Sequence, residues 1–501
     1  MNSLFFQLIF FRQFCSLWSL LLILLTAQFS QISLAFENNN SASKLIPQKS
    51  SEKFCKAHLK TRIDQLIEEE IVKRSPWGIL VKTLDNNETL YEINSQKFFI
   101  PASNIKLFTT AAALVKFGPD FQINTPIYAQ GTAPNLRVLK LVGNGDPTLQ
   151  TEQLKQLATT LKKQGIRRIE QLIVEDNQRN ITPINLTWEW EDIQFYYATA
   201  VNRLILNENT VTLTLTPQEI DEPLQLEWSD LIAGQQWQIN NQTLTASQNT
   251  PYSITIQRNF AQPLLTITGK LAINSQPDTF GLAVVDPADY FLDSLQNALE
   301  TEEIIITKSS IITQTDTEEK SRKLTTIKSP SLATIITKAN ENSNNLYAES
   351  LLNLFASNTS EITPIENLQE TLKTLGLEPE LYQLKDGSGL SRHNLATPEA
   401  FVTLLSLILK TSEGDIYRNS LPVAGKSGTL KKRFQDTIIE GRMAAKTGTL
   451  SGISALSGYL DPPNYSPLVF SILVNQSNLS PSQLREVIDQ IVLTLGELKR
   501  C

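Results

Sequence analysis

A serine and a lysine three residues apart, Ser103 and Lys106, stand at the start of an apolar segment that continues to Leu114. In a helix, residues i and i+3 lie on the same face, so the hydroxyl and the amine can meet. A lysine partly withdrawn from water can lose its proton near neutral pH and activate a serine as a nucleophile. The spacing alone is weak evidence, because serine is also a common helix cap and the same spacing recurs at Ser50 and Lys53.

Ser343 and Asn345 form a second candidate pair, directly before a helical pattern that begins at Leu346. At this spacing a hydroxyl and an amide can face one cavity. The alternative interpretation is a polar helix start, and Ser247 and Asn249 repeat the spacing elsewhere in the chain.

The third candidate is Lys446-Thr447-Gly448, which the pattern places on a strand edge where Gly448 lets a ligand approach the backbone closely. A near-copy lies earlier in the chain, at residues 426–429. We favour Lys446, because its neighbours are small and apolar. The near-copy instead runs into the charged stretch 431–433, which is typical of a solvated surface.

Together and in this order, the three motifs are the set found in penicillin-binding proteins and serine β-lactamases. The chain resembles one branch closely, the type-4 penicillin-binding proteins, which are D-alanyl-D-alanine carboxypeptidase/endopeptidases. The 240 residues between Ser103 and Ser343 (343 − 103) fit this branch, which carries a large insertion there. Further segments that carry the resemblance are 143–149, 196–209, 329–332, 386–392 and 421–425.

Two positions depart from the family pattern. Ser427 stands where the family usually has an acidic residue before Gly428 and Thr429, and this change creates the near-copy. Asn344 stands where aspartate is common. We expect no catalytic role for Ser427, and a less central one for Asn344 than for its neighbours.

The resemblance implies a catalytic set of Ser103, Lys106, Ser343, Asn345 and Lys446. The serine at 103 would attack the carbonyl between two D-alanines, and Lys106 would take its proton, kept neutral by the positive charge of Lys446. Ser343 would relay a proton to the leaving amine, and Asn345 would hold Lys106 and the substrate backbone.

Thr447, Gly448 and Thr449 are the substrate-binding residues that the resemblance implies. The oxyanion would lie between the backbone N–H groups of Ser103 and Thr449. The expected partners are peptidoglycan stem peptides ending in D-Ala-D-Ala and β-lactam inhibitors, which would acylate Ser103. The mechanism requires no cofactor and no metal.

The composition fits this interpretation. The formal net charge of −7 argues against nucleic-acid binding, and the chain has only two histidines and three cysteines from which to build a metal site. A loose association with the cell wall or the membrane surface is compatible with the same chemistry.

The resemblance and the pattern predict an α/β (α+β) fold of the β-lactamase/transpeptidase type. Residues 53–121 and 326–501 form one domain made from both ends of the chain, and residues 122–325 form a β-rich insertion of one or two smaller domains. Helices are predicted at 55–72 and 481–498. Strands are predicted at 78–84, 88–94, 455–460 and 468–474.

The first 35 residues read as a secretion signal, with one charge at Arg12 and a leucine-rich run from Ser16 to Ala27. An uncleaved membrane anchor is the alternative. Residues 36–52 read as a flexible leader, so the mature protein is expected in the periplasm or cell envelope. Cleavage leaves Cys55 and Cys501 near the two ends, and in an oxidising compartment we predict a disulfide between them.

Two rival functions remain open on the sequence. The first is a serine β-lactamase-like hydrolase, which would need a device to activate the deacylating water. The second is a non-catalytic peptidoglycan-binding protein on a degenerated fold. The intact set of motif residues argues against the second.

Overall fold

The computed structural model describes residues 54–177, 184–259, 261–313, 321–356 and 362–501. The predicted signal peptide, the predicted leader and the Ser50–Lys53 pair lie outside these residues.

The described residues form helices and strands along their whole length. In chain order, the α-helices are α1 (Lys56–Ile67), α2 (Lys106–Phe117), α3 (Thr151–Lys163), α4 (Leu231–Gly234), α5 (Pro287–Thr301), α6 (Leu332–Glu341), α7 (Asn345–Asn353), α8 (Pro364–Leu375), α9 (Pro398–Ile408), α10 (Gly414–Asn419) and α11 (Pro481–Gly496). The strands are β1 (Trp77–Thr83), β2 (Thr89–Ile93), β3 (Asn124–Thr132), β4 (Asn135–Val142), β5 (Arg168–Glu175), β6 (Thr210–Thr216), β7 (Gln225–Trp228), β8 (Gln238–Ala246), β9 (Thr255–Arg258), β10 (Leu264–Ala272), β11 (Asp278–Ala283), β12 (Ile305–Ile312), β13 (Arg322–Lys328), β14 (Tyr382–Gln383), β15 (Leu395–Ala396), β16 (Met443–Leu450), β17 (Ile453–Leu460) and β18 (Leu468–Val474).

One five-stranded sheet combines strands from both ends of the chain. Its order is β16-β17-β18-β1-β2, and every neighbouring pair is antiparallel. All residues of β17 and β18 are buried, because helices cover both faces of the sheet. Successive side chains alternate between the faces: Tyr459 packs in the core that contains α2 and α9, and Leu460 in the core that contains α1 and α11.

The middle of the chain has a hydrophobic core of its own, with members from Ile127 to Ile304. Around it lie a five-stranded sheet, β12-β5-β4-β3-β13, and two three-stranded sheets. β6 shows why this region folds as sheet. Its sequence alternates threonine with valine or leucine, and only the aliphatic residues are buried.

The predicted helix at 55–72 is shorter in the structure, because α1 ends at Ile67. Three consecutive glutamates, Glu68 to Glu70, follow it. Negative charge is unfavourable at the carbonyl end of a helix, which accounts for the early stop.

The motif serine lies in a single turn of 3-10 helix, Ala102–Ile105, that runs directly into α2. Every residue of α2 from Lys106 to Leu114 is buried. The helix packs against α6, α7 and α8 and ends at Gly118, which has a φ of +79°. The turn that carries Ser103 is therefore anchored by a helix in the middle of the core.

A disulfide bond joins Cys55 and Cys501, the two cysteines that the sequence predicted to pair, with Cα atoms 5.9 Å apart. Beside it, the backbone N–H of Lys499 donates to the carbonyl of Phe54 at 3.0 Å. In the part of the chain that the structure describes, no helix has the length and apolar character needed to cross a bilayer.

Candidate active site

Lys106 is the centre of a buried hydrogen-bond network. Its Nζ lies 3.1 Å from Ser103 Oγ, 2.6 Å from Asn345 Oδ1 and 2.7 Å from the carbonyl oxygen of Ser388. In a 3-10 turn there are three residues per turn, so side chains at i and i+3 stand directly above each other. Ser103 lies inside the 3-10 turn, whose N-cap is Pro101, and the N-cap of α2 is Ile105, so Ser103 is not the cap of either helix.

A second serine–lysine pair faces the first. Lys446 Nζ lies 2.8 Å from Ser343 Oγ and 2.8 Å from the carbonyl oxygen of Thr447. Lys106 and Lys446 are fully buried, whereas Ser103 and Ser343 are partly exposed. The two amines thus form the floor of a cleft, and the two hydroxyls are within reach of a ligand.

Burial is the main influence on both amines. It lowers the pKa of Lys106 to about 7, although the nearby Asp386 and Glu349 raise that pKa. Burial also holds the pKa of Lys446 well below its ordinary value, and the neighbouring Lys106 lowers it further. The sequence analysis attributed a neutral Lys106 to the charge of Lys446; the larger cause is removal of the amine from water.

The backbone at both serines is unusual. Ala102, which directly precedes Ser103, has a φ of +49°, and Ser343 has a φ of +55°. Residues other than glycine rarely adopt this backbone region. Such conformations persist where the surroundings over-determine them. Here they lie at or next to the two serines whose hydroxyls contact the buried lysines.

Two glycines allow the surrounding segments to approach the Ser103 turn. A Cβ on Gly448 of β16 would lie 2.6 Å from the carbonyl oxygen of Pro101. A Cβ on Gly389 would lie 1.9 Å from the carbonyl oxygen of Ala102, and Gly389 has a φ of +83°. Only glycine fits at either position, since any side chain would push the turn away.

Asn345 and Asn344 have different contacts. Asn345 accepts from Lys106 and donates through Nδ2 to the carbonyl of Tyr197 at 2.6 Å, so it faces the cleft. Asn344 is the N-cap of α7, accepting from the backbone N–H of Tyr347, and it donates to Glu208.

The near-copy of the third motif has a different environment. Lys426 is largely exposed and pairs with Glu440. Thr429, however, lies beside the site, because Thr447 Oγ1 donates to Thr429 Oγ1 at 2.8 Å. Thr449 is exposed at the edge of the sheet, and Gly448 is buried beneath it.

Two buried carboxyls near Lys106 were missed by the sequence reasoning. Glu349 Oε1 accepts the backbone N–H groups of Gly387 and Ser388 at 3.0 and 2.8 Å, which aims the Ser388 carbonyl at Lys106. Asp386 accepts from Gly389 and Ser391 at 2.7 and 2.6 Å. Burial, followed by the nearby Asp386, raises the pKa of Glu349 to about 8. In sequence, Glu349 looks like any helical glutamate.

A sheet covered by helices on both faces, with two serine–lysine pairs beside its edge strand β16, defines a class of active-site-serine hydrolases with the penicillin-binding protein fold. The model of the D-Ala-D-Ala carboxypeptidase 3 (S13) family matches residues 59–498. The chain belongs to this family and is a serine-type peptidase of the D-alanyl-D-alanine carboxypeptidase class.

Individual relatives agree with this assignment. The chain is 31% identical over 457 residues to penicillin-sensitive carboxypeptidase A of Dictyostelium discoideum. The aligned region covers 84% of this chain and 87% of the relative. It is 30% identical over 460 residues to a D-alanyl-D-alanine carboxypeptidase of Actinomadura sp. strain R39, covering 88% and 84%. Penicillin-binding protein 4 of Haemophilus influenzae has the same fold, with a TM-score of 0.76, 23% identity, and coverage of 86% of this chain and 98% of that one.

Proposed function

We propose that this chain hydrolyses D-alanyl-D-alanine bonds in peptidoglycan stem peptides through an acyl-enzyme on Ser103. The observation that carries the proposal is the 3.1 Å contact between Ser103 Oγ and the buried amine of Lys106, whose pKa burial lowers to about 7. A base with a pKa near the working pH exists in its neutral form while remaining able to accept a proton.

In the acylation step, Ser103 Oγ bonds to the carbonyl carbon as its proton passes to Lys106 Nζ. The tetrahedral intermediate collapses with cleavage of the C–N bond, and the leaving amine takes a proton from the Ser343 hydroxyl. Lys446, 2.8 Å from that hydroxyl, passes on to it the proton that Lys106 took from Ser103, so that the leaving amine receives the serine's proton and both lysines end the step as they began. Water then attacks the ester, which releases the shortened peptide and restores Ser103.

Substrate binding is assigned to the edge of β16. Thr447 and Thr449 bind the terminal carboxylate with their hydroxyls, next to the amine of Lys446. The backbone N–H groups of Ser103 and Thr449 hold the oxyanion as charge develops in the transition state. β-Lactams mimic the dipeptide, acylate Ser103 and leave slowly.

We also propose that the protein acts outside the cytoplasm, in the periplasm or cell envelope, after cleavage of residues 1–35. The disulfide between Cys55 and Cys501 supports this location, because such bonds persist in oxidising compartments.

The test uses two pairs of variants, assayed for labelling by a fluorescent penicillin and for release of D-alanine from a pentapeptide. Ser103→Ala should abolish both signals, because it removes the nucleophile, and Ser50→Ala should change neither. Lys446→Ala should lower the acylation rate by about 100-fold or more, as expected for loss of a proton-transfer group. Lys426→Ala should leave the rate unchanged.

Each competing hypothesis has its own outcome in these assays. Labelling that survives Ser103→Ala would remove Ser103 from the nucleophile role. Rapid turnover of the penicilloyl adduct would favour a β-lactamase. The absence of any labelling in the wild type would favour a non-catalytic protein.

A further inference from the structure

The corner between α6 and α7, which carries Ser343, is contacted by the β-rich middle of the chain. Ser343 has a φ of +55°, and its backbone N–H makes only a long hydrogen bond, 3.4 Å, to the carbonyl of Asn340 within the corner. A positive φ at a residue other than glycine persists where neighbouring contacts enforce it. Two contacts of this kind come from the segment 196–209.

Both asparagines of the second motif have a partner in this segment. Asn345 Nδ2 donates to the carbonyl oxygen of Tyr197 at 2.6 Å, and Asn344 Nδ2 donates to Glu208 Oε2 at 2.7 Å. The other carboxylate oxygen of Glu208 lies 3.9 Å from Lys338 Nζ. Lys338 is in the last turn of α6, whereas Asn344 is the N-cap of α7. The Glu208 carboxylate therefore spans the corner between the two helices.

The turn that presents Glu208 has an unusual backbone. Asn207, Glu208 and Asn209 form one turn of 3-10 helix, with φ values of +49°, +58° and +52°. Asparagine visits this left-handed region more readily than glutamate does. The buried Asn209 donates to the carbonyl of Ala200 at 2.9 Å, and Asn207 donates to Tyr290 Oη at 2.6 Å. The two asparagines thus hold the glutamate in a strained conformation, and such strain is concentrated at functional sites.

The Asn344 amide is matched to the Glu208 carboxylate. Asn344 Oδ1 accepts the backbone N–H of Tyr347 at 3.1 Å, which caps α7, and Nδ2 faces Glu208. Aspartate caps a helix as well as asparagine does, so the cap does not select between them. An aspartate at position 344 would set a carboxylate oxygen against that of Glu208, and like charges in contact repel each other. The contact with Glu208 is therefore what requires an amide here.

We infer that Glu208 is a positioning residue for the proposed reaction, and that through Asn344 it holds the corner that places the Ser343 hydroxyl beside Lys446. The inference rests on the proposed function, in which Ser343 passes a proton to the leaving amine. Without the contact, the corner can relax and move Ser343 away from the Lys446 amine, now 2.8 Å distant. Acylation then slows, although every group that contacts the substrate is still present.

The experiment exchanges donor and acceptor between positions 208 and 344 in the full mature protein, with penicillin acylation measured as a function of concentration. Asn344→Asp should lower the maximal rate about tenfold and change the half-saturating concentration by less than about twofold. Combining it with Glu208→Gln should bring the rate back to within about threefold of the wild type, since glutamine can donate to the new aspartate. Glu208→Gln alone should stay within about twofold, because its amide oxygen still accepts from Asn344.

Glu208→Ala removes the acceptor altogether and should lower the maximal rate about fivefold. The matched controls are Glu222→Gln and Glu222→Ala, which alter an exposed carboxylate in the same region and should leave the rate unchanged. Thermal unfolding of each variant shows whether it is folded. If Asn344→Asp does not fold, the comparison of alanine with glutamine at position 208 decides.

Three results would overturn the inference: an Asn344→Asp defect that Glu208→Gln does not relieve, a wild-type rate in Asn344→Asp, or equal rates in the alanine and glutamine variants of Glu208. Each of them leaves the proposed function intact. A wild type that neither releases D-alanine nor is labelled by penicillin would instead overturn the proposed function itself.

Discussion

At the scale of single residues, Lys106 can act as a base because it is buried, and not because of the charges near it. Lys106 has no exposed surface, and two carboxyls near it act in the opposite direction, raising its pKa. Desolvation prevails, because a buried ammonium loses its hydration. Burial also lowers the pKa of Lys446, and the nearby Lys106 lowers it further. A proton on one amine therefore disfavours a proton on the other.

A pH dependence follows from the state of Lys106. The residue works as a neutral amine, and its pKa of about 7 lies below the ordinary value, so activity is present above pH 7 and is lost as the pH falls through that value. The rate of penicillin acylation measured from pH 5 to 9 should show this acidic limb at about 7. Lys106→Arg should show no acylation at any of these pH values, since a guanidinium stays protonated. A rate independent of pH between 6 and 8 would contradict this assignment.

Glu349 is a positioning residue whose role can be separated from its charge. Burial raises the pKa of Glu349 to about 8, so this carboxyl holds a proton more readily than an ordinary glutamate, and Glu349→Gln keeps an acceptor oxygen in a group that is always neutral. We expect that variant to acylate at close to the wild-type rate at pH 7.

Glu349→Ala, by contrast, leaves the N–H groups of Gly387 and Ser388 without their acceptor. The loss should cost about 2–5 kcal/mol of unfolding free energy and release the Ser388 carbonyl from Lys106. Thermal unfolding and the acylation rate measure the two effects. Equal rates in the Gln and Ala variants would show that Glu349 does not position Lys106.

At the scale of elements, the site depends on the close approach of three segments: the Ser103 turn, β16 and the 386–391 loop. Gly448 and Gly389 permit the contact, with the carbonyls of Pro101 and Ala102 filling the space that a Cβ would need. The nucleophile is therefore located by backbone packing as well as by its own hydrogen bond.

Gly389→Ala tests this packing. The new Cβ would overlap the carbonyl oxygen of Ala102, so the Ser103 turn must shift, and penicillin labelling should slow by about tenfold or more. Gly118→Ala is the matched control. It also has a positive φ, +79°, but no atom lies within 4 Å of the added Cβ. The control should lose about 1 kcal/mol of stability and keep its labelling rate. Equal slowing in both variants would mean that backbone strain alone is responsible.

Much of this arrangement was predictable from local patterns. Ser103 and Lys106 are neighbours on one turn, and β18 was predicted at its observed bounds, 468–474, because it is a continuous apolar run. What could not be predicted depends on distant contacts. The buried carboxyl of Glu349 resembles a surface glutamate until the 386–391 loop folds over it. Thr429 belongs to the near-copy motif that the sequence analysis set aside in favour of Lys446, and its hydrogen bond with Thr447 depends on a turn whose Gly428 packs against the end of α6.

At the scale of the whole molecule, the two ends of the described chain are joined. The disulfide between Cys55 and Cys501 closes a loop with a sequence separation of 446 residues. It ties the start of α1 to the segment after α11, two helices that pack together on one face of the sheet β16-β17-β18-β1-β2. The bond thus constrains the layer of helices α1 and α11 that packs against this face of the sheet.

The double variant Cys55→Ser with Cys501→Ser should unfold at a lower temperature, corresponding to about 2–4 kcal/mol. The wild type should show the same loss in the presence of reductant, and the double variant should not respond to reductant. Thiol titration of the denatured, unreduced mature protein should find no free thiol. Two free thiols, or equal stability of the two proteins, would contradict this role.

The sheet β16-β17-β18-β1-β2 also sets the moment at which the enzyme becomes active. Lys446 lies 343 residues after Ser103 (446 − 103), on β16, which pairs with β17. A polypeptide whose synthesis has not yet reached Lys446 carries the nucleophile and the base but lacks the second lysine, so the site is incomplete until that strand has been made and has paired. Covalent labelling by penicillin therefore reports completed folding. Its time course after dilution from denaturant would measure when β16 pairs with β17.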